Sequence, residues 1–475
     1  MWQVCNLSRL DISLVTKHNY TMKPIAFLRH SHYAVNRALR CLMAGAAVCS
    51  FSGLNAQTAD TLSRIPENVR MKSMINSTHI IGAGEEGVMR DSLERLLTTF
   101  YVDQFRHFQD PRAPYFMFMS KSSKIAMGVG GLVRIRGYYD WNGSIPINGF
   151  SPYSIPIPKD PTSMRRLAAT PSGTGFFVTL LGNHTLLGDY MAFIQVDFSG
   201  YNGKDLKLKK AYMQAGDWTA GYATTTFEDT KAEPSTIDGA GPNGINSRTN
   251  VLVRYMHTFK GKWTVAGSVE FPSSSIAADG EYTKACSDYV PDMAAFAQYQ
   301  WAGGASHVRL SGLARVLTYR DMLQARNHNI FGWGLQLSTV IKALPQFNLY
   351  GIASVGQGHE SYTTDFASDK FDLVADPGQK GRLYAPAAVG YVLGAQYYFT
   401  PSLFADIALS EQRYYPKDNP GDSQYKYGLY GAFNLYWDIT PRFEVGIEYL
   451  AGKRMNFNKT SGNANRITAM MMLSF

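Results

Sequence analysis

The sequence predicts an all-β protein, a 16-stranded antiparallel transmembrane β-barrel with a short N-terminal helix. Three observations predict it. From about residue 124 the chain reads as strands with one apolar and one mixed face. The links between those strands alternate long and short. The final stretch, RITAMMMLSF, is itself an alternating strand ending on a bare phenylalanine. Ile467, Ala469, Met471, Leu473 and Phe475 share one face. Arg466, Thr468 and Ser474 take the other, with Met470 and Met472 between them. A strand protein in lipid must pair every backbone group, so its last strand has to meet its first. A terminal aromatic on such a strand also resembles the signal read by bacterial outer-membrane assembly.

Composition agrees. Charged residues are 17% and aromatics 13% of 475 residues, with 43 glycines. That balance suits strands with two non-core surfaces better than soluble helical domains. No run approaches the roughly 20 apolar residues of a membrane helix. The net charge of +9 overstates the basicity of the body. Residues 1–56 hold six of the 46 basic residues and one acid, leaving 40 against 36 in the remainder. Nothing in that balance asks for a nucleic-acid partner.

Residues 1–56 read as a signal peptide. Arg37 and Arg40 precede the apolar CLMAGAAVCSFSGL at 41–54, and LNA followed by Q gives a cleavage site after Ala56. The basic leader is long if synthesis starts at Met1, and Met22 is the better start. Export to the bacterial outer membrane follows from this reading. Residues 57–120 form an N-terminal periplasmic segment with a helix at 85–108, where Leu93, Leu96, Leu97, Phe100, Tyr101 and Phe108 make a helical stripe. DPRAPY at 110–115 ends it. The barrel takes residues 121–475. Cys286 is the one cysteine outside the leader, so the mature chain offers no internal disulfide and no cysteine metal framework.

The strands are read at 124–140, 174–181, 190–199, 205–214, 217–227, 248–259, 262–271, 291–301, 306–317, 329–342, 346–356, 386–399, 402–413, 424–438, 442–452 and 466–475. Short links include AGD, FKGK, ALPQ, TPS and TPR. Long ones run through 141–173, 228–247, 272–290, 357–385, 414–423 and 453–465. The link 200–204, GYNGK, is short where a long one is due. YYFTPSLFADIAL and YWDITPRFEVGIEYL are near copies, each an aromatic-ended strand, a Thr-Pro turn and an alternating strand. Proline presets φ at such a turn, and the aromatics fall where a barrel has its interfacial girdle.

Function then depends on the inward charges. Strand parity turns inward a basic ladder of Arg134, Arg136, Lys207, Lys209, Arg248, Arg254, Arg309 and Arg315. An arginine facing mid-bilayer lipid costs roughly 2–4 kcal/mol, which favours the inward placement. Inward acids come later: Asp406, Glu444 and Glu448 form an opposite wall. The loop 228–247 is a candidate constriction carrying Glu228, Asp229, Glu233 and Asp238, with Gly239, Gly241 and Gly244 for tight bends. Guanidinium groups match carboxylates through their planar fork, so the ladder favours small anionic solutes. His184, His257 and His307 are scattered, and no nucleophile elbow, phosphate-cradling loop or HExxH helix is present. Neither an enzyme, a cofactor nor a metal is expected.

Several segments resemble the DcaP family of outer-membrane porins. They are LVRIRGYYDW, YMAFIQVDF, LKLKKAYMQAGDWTAGYATTTFED, IDGAGPNGINSRTNVLVRY and YVPDMAAFAQYQ, collinear over about residues 120–320. The resemblance implies a trimeric, sixteen-stranded porin for small anions, dicarboxylates included, with a periplasmic N-terminal coiled coil. This chain departs from it in its single short helix and in Lys207 and Lys209, where the family often has arginines. The expected function is passive diffusion of small hydrophilic anions, with outer-membrane lipid as the surrounding partner. The alternative is a non-conducting barrel whose outer loops bind a ligand, with Tyr362, Phe366, Phe371 and Tyr384 on the 357–385 loop as its contacts.

Overall fold

In the computed structural model, the described residues are 79–82, 115–119 and 125–475, less 146–148, 185, 187, 201–203, 367–368, 418–420 and 422–423. The leader and the 85–108 segment lie outside them. Sixteen strands close into an antiparallel barrel. They are β1 (Ile125–Trp141), β2 (Gly175–His184), β3 (Gly188–Asp197), β4 (Lys207–Ala215), β5 (Trp218–Thr224), β6 (Thr249–Phe259), β7 (Trp263–Glu270) and β8 (Asp292–Trp301). The second half is β9 (Ser306–Asp321), β10 (Arg326–Leu344), β11 (Phe347–Gln357), β12 (Ala387–Thr400), β13 (Leu403–Tyr415), β14 (Tyr425–Thr440), β15 (Phe443–Asn456) and β16 (Ser461–Ser474). Each pairs with the next in sequence, and β16 pairs with β1. Among the described residues there is no α-helix, only short 3₁₀ turns.

The alternation seen in sequence places the outer apolar face. Val133, Ile135, Ile447, Ile467, Met471 and Leu473 are exposed on the outside, while Arg136, Asp140, Glu448, Arg466 and Thr468 are buried within. Trp437, Tyr397 and Phe399 ring the short-turn end, and Tyr139, Trp141 and Tyr449 stack on one another toward the long-loop end. Two aromatic girdles flanking an apolar band are what a bilayer selects.

The seam is sealed in two stages. Asn465–Ser474 run opposite Trp141–Leu132, and the amide of Phe475 donates to the carbonyl of Gly131 at 2.8 Å while Gly131 N–H donates back at 2.6 Å. Below that point the edge of β1 is covered by the short strand Phe116–Met119, paired antiparallel with Ala126–Val129. His79–Gly82 adds to it in parallel. No ladder edge of β1 is left open along Ala126–Val129, where an unpaired strand would invite association.

The ladders run further than the apolar alternation does. Three stretches read as links carry strand. Residues 453–465 are mostly the paired ends of β15 and β16, which turn over at 457–460, and β9 and β10 turn over at 322–325. Residues 165–170, within the expected 141–173 loop, pair with Arg136–Trp141. Beyond the girdle both strand faces are polar, so the hydrogen-bonded ladder continues with no period-two signal to announce it. Conversely, β5 ends at Thr224, and Arg248 sits just before β6 rather than on it.

Candidate functional site

The chain between β5 and β6 folds into the barrel and lies along its inner wall. Its contacts follow the ring in order. Phe227 packs beside Leu313 of β9 and Tyr362. Asp229 accepts from Ser338 of β10 at 2.5 Å and bonds His307 of β9 at 2.8 Å. Ala232 is buried with Val340, Ile352 and Val392 of β10, β11 and β12. Ile237 is buried against Tyr398, Phe404, Tyr436, Met470 and Met472, reaching β16. The segment then returns through Asn243, bonded to Ser410, Asp365 and the Gly428 carbonyl. The large anchors Phe227 and Ile237 contribute about 1.5–3 kcal/mol each on burial, and the methyl of Ala232 less.

Most of the basic ladder holds this segment in place. Arg309 is fully buried. It donates to the Glu228 carbonyl at 3.1 Å and to Gln298 at 2.8 Å, and it pairs with Asp229 at 3.5 Å. The Arg248 amide donates to the Glu228 carboxylate, and its guanidinium to Ser361, Asn250 and the Ser273 carbonyl. Arg136 donates to the Ile237 carbonyl at 3.1 Å. Arg254 donates to the Thr224 carbonyl at the start of the segment. Arg315 joins Asp292 and Asp372, tying the outer loop after β11 to the wall. Arg248 and Arg315 both lie over the ring of Tyr362, at 4.7 and 5.1 Å.

The acids are similarly engaged. One oxygen of Glu448 accepts from the amides of Ile237 and Asp238, at 3.0 Å each. Asp238 accepts from the amide of Phe150, on the loop after β1. Asp406 accepts from Gln396 at 3.1 Å, and Glu444 is buried on the same inner face. Burial pushes the Glu228 carboxyl up to about 7. Glu233 is raised too, by burial first and then by the neighbouring charges of Glu228 and Asp229. Burial also opposes ionisation of Asp229, but Arg309 and His307 outweigh it and hold that carboxyl well below the usual range. Asp238 is raised by burial.

Four predicted cations keep contact with solvent, Arg248 in part, through the guanidinium that bonds the Ser273 carbonyl. Lys207 is exposed, Arg134 is partly so, and the Lys209 side chain is 40% exposed with Asp197 3.7 Å away. Gly173 has φ +87°, and a Cβ there would overlap the Arg134 guanidinium, so this glycine gives that side chain its path. The structure thus divides the sequence-derived ladder in two. Arg136, Arg248, Arg254, Arg309 and Arg315 meet the inward loop and its neighbours, whereas Arg134, Lys207 and Lys209 gather on β1 and β4.

Parity missed one cation. A bulge opposite Gln195 and Val196 turns Lys210 to the inner face beside Lys209, where its charge favours the ionised forms of Glu228 and Glu233. The run KLKK was the available signal, since a bulge puts two successive residues on one face. Among the described residues, no group of three His, Cys, Asp or Glu could hold a metal ion.

The chain is similar to several solved outer-membrane proteins. The DcaP outer-membrane channel of Acinetobacter baumannii matches at 22% identity and a TM-score of 0.64, over 75% of this chain and 99% of that one. An anion-selective porin from Comamonas acidovorans matches at 10% identity and a TM-score of 0.48, over 74% and 100%. OmpT of Vibrio cholerae matches at 9% and 0.48, over 75% and 99%. No curated protein matches. The family profile described as DcaP outer membrane protein matches residues 119–475, through the whole barrel and its seam, and the chain belongs to that family of outer-membrane channels.

Proposed function

We propose that this channel passes small hydrophilic anions, carboxylates among them, by passive diffusion. One observation carries the reading: the inward acids and inward bases differ in what remains available to a solute. Asp140, Asp229, Asp238, Asp292, Asp372, Asp406, Glu444 and Glu448 are buried. Arg134, Lys207 and Lys209 keep exposure, as Arg248 does in part. A charge that is already paired and dry adds little to the field in a wet pore, while a solvated one acts on every passing ion. Glu233 is half-buried and opposes this balance, but its carboxyl is held toward the neutral form.

The alternative, a closed barrel with ligand-binding loops, loses its main contacts. Tyr362, Phe366 and Phe371 are buried, and Phe366 and Phe371 pack with Tyr414 and Tyr425. They are occupied in loop packing. The working form on this reading is a homotrimer, exported by a signal peptide at 1–56 and carrying a periplasmic segment at 57–120. The test is reversal potential in planar bilayers across a salt gradient. Openings that favour anions support the proposal. Cation preference, or an absence of stepwise openings, overturns it.

A further inference from the structure

One group of charges lies on the wrong side of the wall for a pore. Glu411 and Arg413 share the parity of Ile407 and Leu409, which are exposed on the lipid face. Arg413 Nε donates to Glu411 at 2.6 Å, and the Tyr391 hydroxyl donates to the other oxygen of the same carboxylate. The Arg413 guanidinium lies over the ring of Tyr427, 4.4 Å from its centroid. Its two terminal nitrogens make no hydrogen bond among the described residues, and its side chain is 18% exposed against 6% for Glu411. The ladder carries the row across the outer face: Tyr391 lies opposite Glu411, Glu411 opposite Leu429, and Leu429 opposite Lys453. Lys453 has the outward parity of Ile447 and Tyr449.

Height decides the meaning of this row. It stands above Leu393, Leu409 and Phe433, all exposed, and two outward positions beyond the Phe433–Tyr449 row, with the rings of Tyr391 and Tyr427 beside it. That level is where acyl chains give way to headgroups. A carboxylate facing lipid is costly unless held, and here it is spent on fixing a guanidinium. The guanidinium then presents its remaining N–H groups outward, in the planar fork that suits a phosphate. Lys453 adds a second positive charge on the same face.

We infer that the outer face of β12–β15 binds the phosphate of an anionic glycolipid in the outer leaflet, with Arg413 and Lys453 as its ligands and Glu411 as the positioning residue. The acyl chains of such a lipid would run down over Leu393, Leu409 and Phe433. The chemistry recognised is phosphate; the apolar surface beneath it selects a lipid over a free ion.

The test uses the full-length channel purified in detergent. Native mass spectrometry measures retention of bis-phosphorylated lipid A, monophosphorylated lipid A and phosphatidylglycerol. The variants are Lys453→Ala, which breaks no contact described here, and Arg413→Ala/Glu411→Gln, which removes the cation without stranding a buried anion. Wild type should retain bis-phosphorylated lipid A about tenfold more tightly than either variant, and more tightly than the monophosphorylated form. Single-channel conductance reports that the barrel has folded in each case. Equal retention by wild type and folded Lys453→Ala overturns the inference. Displacement of the lipid by millimolar inorganic phosphate would make this a free-ion site instead. A change of oligomeric state with lipid retention unaltered would make it a contact between copies of the chain. Either of these also overturns it.

Discussion

Replacing Lys207 and Lys209 together by glutamine should abolish most of the anion preference. In water, a unit charge about 5 Å from a passing ion contributes about 332/(80 × 5), or ~0.8 kcal/mol. At 0.15 M salt the Debye length is about 8 Å, which reduces that to ~0.45 kcal/mol. This is about a twofold enrichment of anions and the inverse for cations, so each lysine changes the permeability ratio about fourfold and the pair about fifteenfold. Removing Lys209 also uncovers Asp197, 3.7 Å from it, which shifts the ratio the same way. The assay is zero-current potential in planar bilayers, at 0.15 M and again near 0.01 M, where the longer Debye length should enlarge the difference. Channels of unchanged conductance whose ratio moves by less than twofold at both salt levels would refute the assignment of these lysines to the permeation path.

Three other perturbations follow from the packing. Arg309→Ala leaves Asp229 buried without its guanidinium partner, a loss of about 3–5 kcal/mol by the behaviour of buried pairs; the inward segment should loosen, seen as noisier, larger single-channel currents and faster proteolysis within 228–247. The Glu228 carboxyl is raised by burial, so the docked segment binds the extra proton and is most stable below pH 4.5. That stability falls as pH rises through about 7, so loop noise should grow between pH 5 and 8, and Glu228→Gln should flatten the profile. Gly131→Val places a side chain where a Cβ already lies 2.7 Å from the Phe475 ring and from the Gly175 carbonyl. Its refolding yield into detergent should drop sharply, with Gly137→Val, whose Cβ meets nothing within 4 Å, as the control.

The barrel was legible because lipid enforces a simple code. Ile467, Met471 and Leu473 must face out, and Arg466 and Thr468 must face in, so each strand announces itself. Where lipid stops, so does the code. Arg454, Asn456 and Ser461 belong to paired strands, yet nothing in their order says so. The inward direction of the charges was also readable, since it is the same parity seen from the other side. Their partners were not. That Arg309 meets Asp229, or Glu448 meets the amides at 237 and 238, depends on the path of a segment with no repeating pattern. Lys210 was hidden for a related reason, because one bulge reverses the count for every residue beyond it.

That path also explains why the inner wall carries so many ions that conduct nothing. Apolar side chains on both surfaces would dock the inward segment as firmly, since buried ion pairs roughly balance their own desolvation. They would not dock it in one register. Here a carboxylate at 229 finds a guanidinium on β9, the amides at 237 and 238 find a carboxylate on β15, and the carbonyl at 237 finds a guanidinium on β1. Sliding the segment by one residue would break all three and strand their charges in a dry place. On the proposed reading, the buried ladder fixes where the constriction stands, and the solvated cations on β1 and β4 decide what passes it. Mutations in the first set should change pore size and noise, and those in the second should change ion preference at constant size. If the two effects proved inseparable in every variant, the division of labour drawn from burial would be wrong.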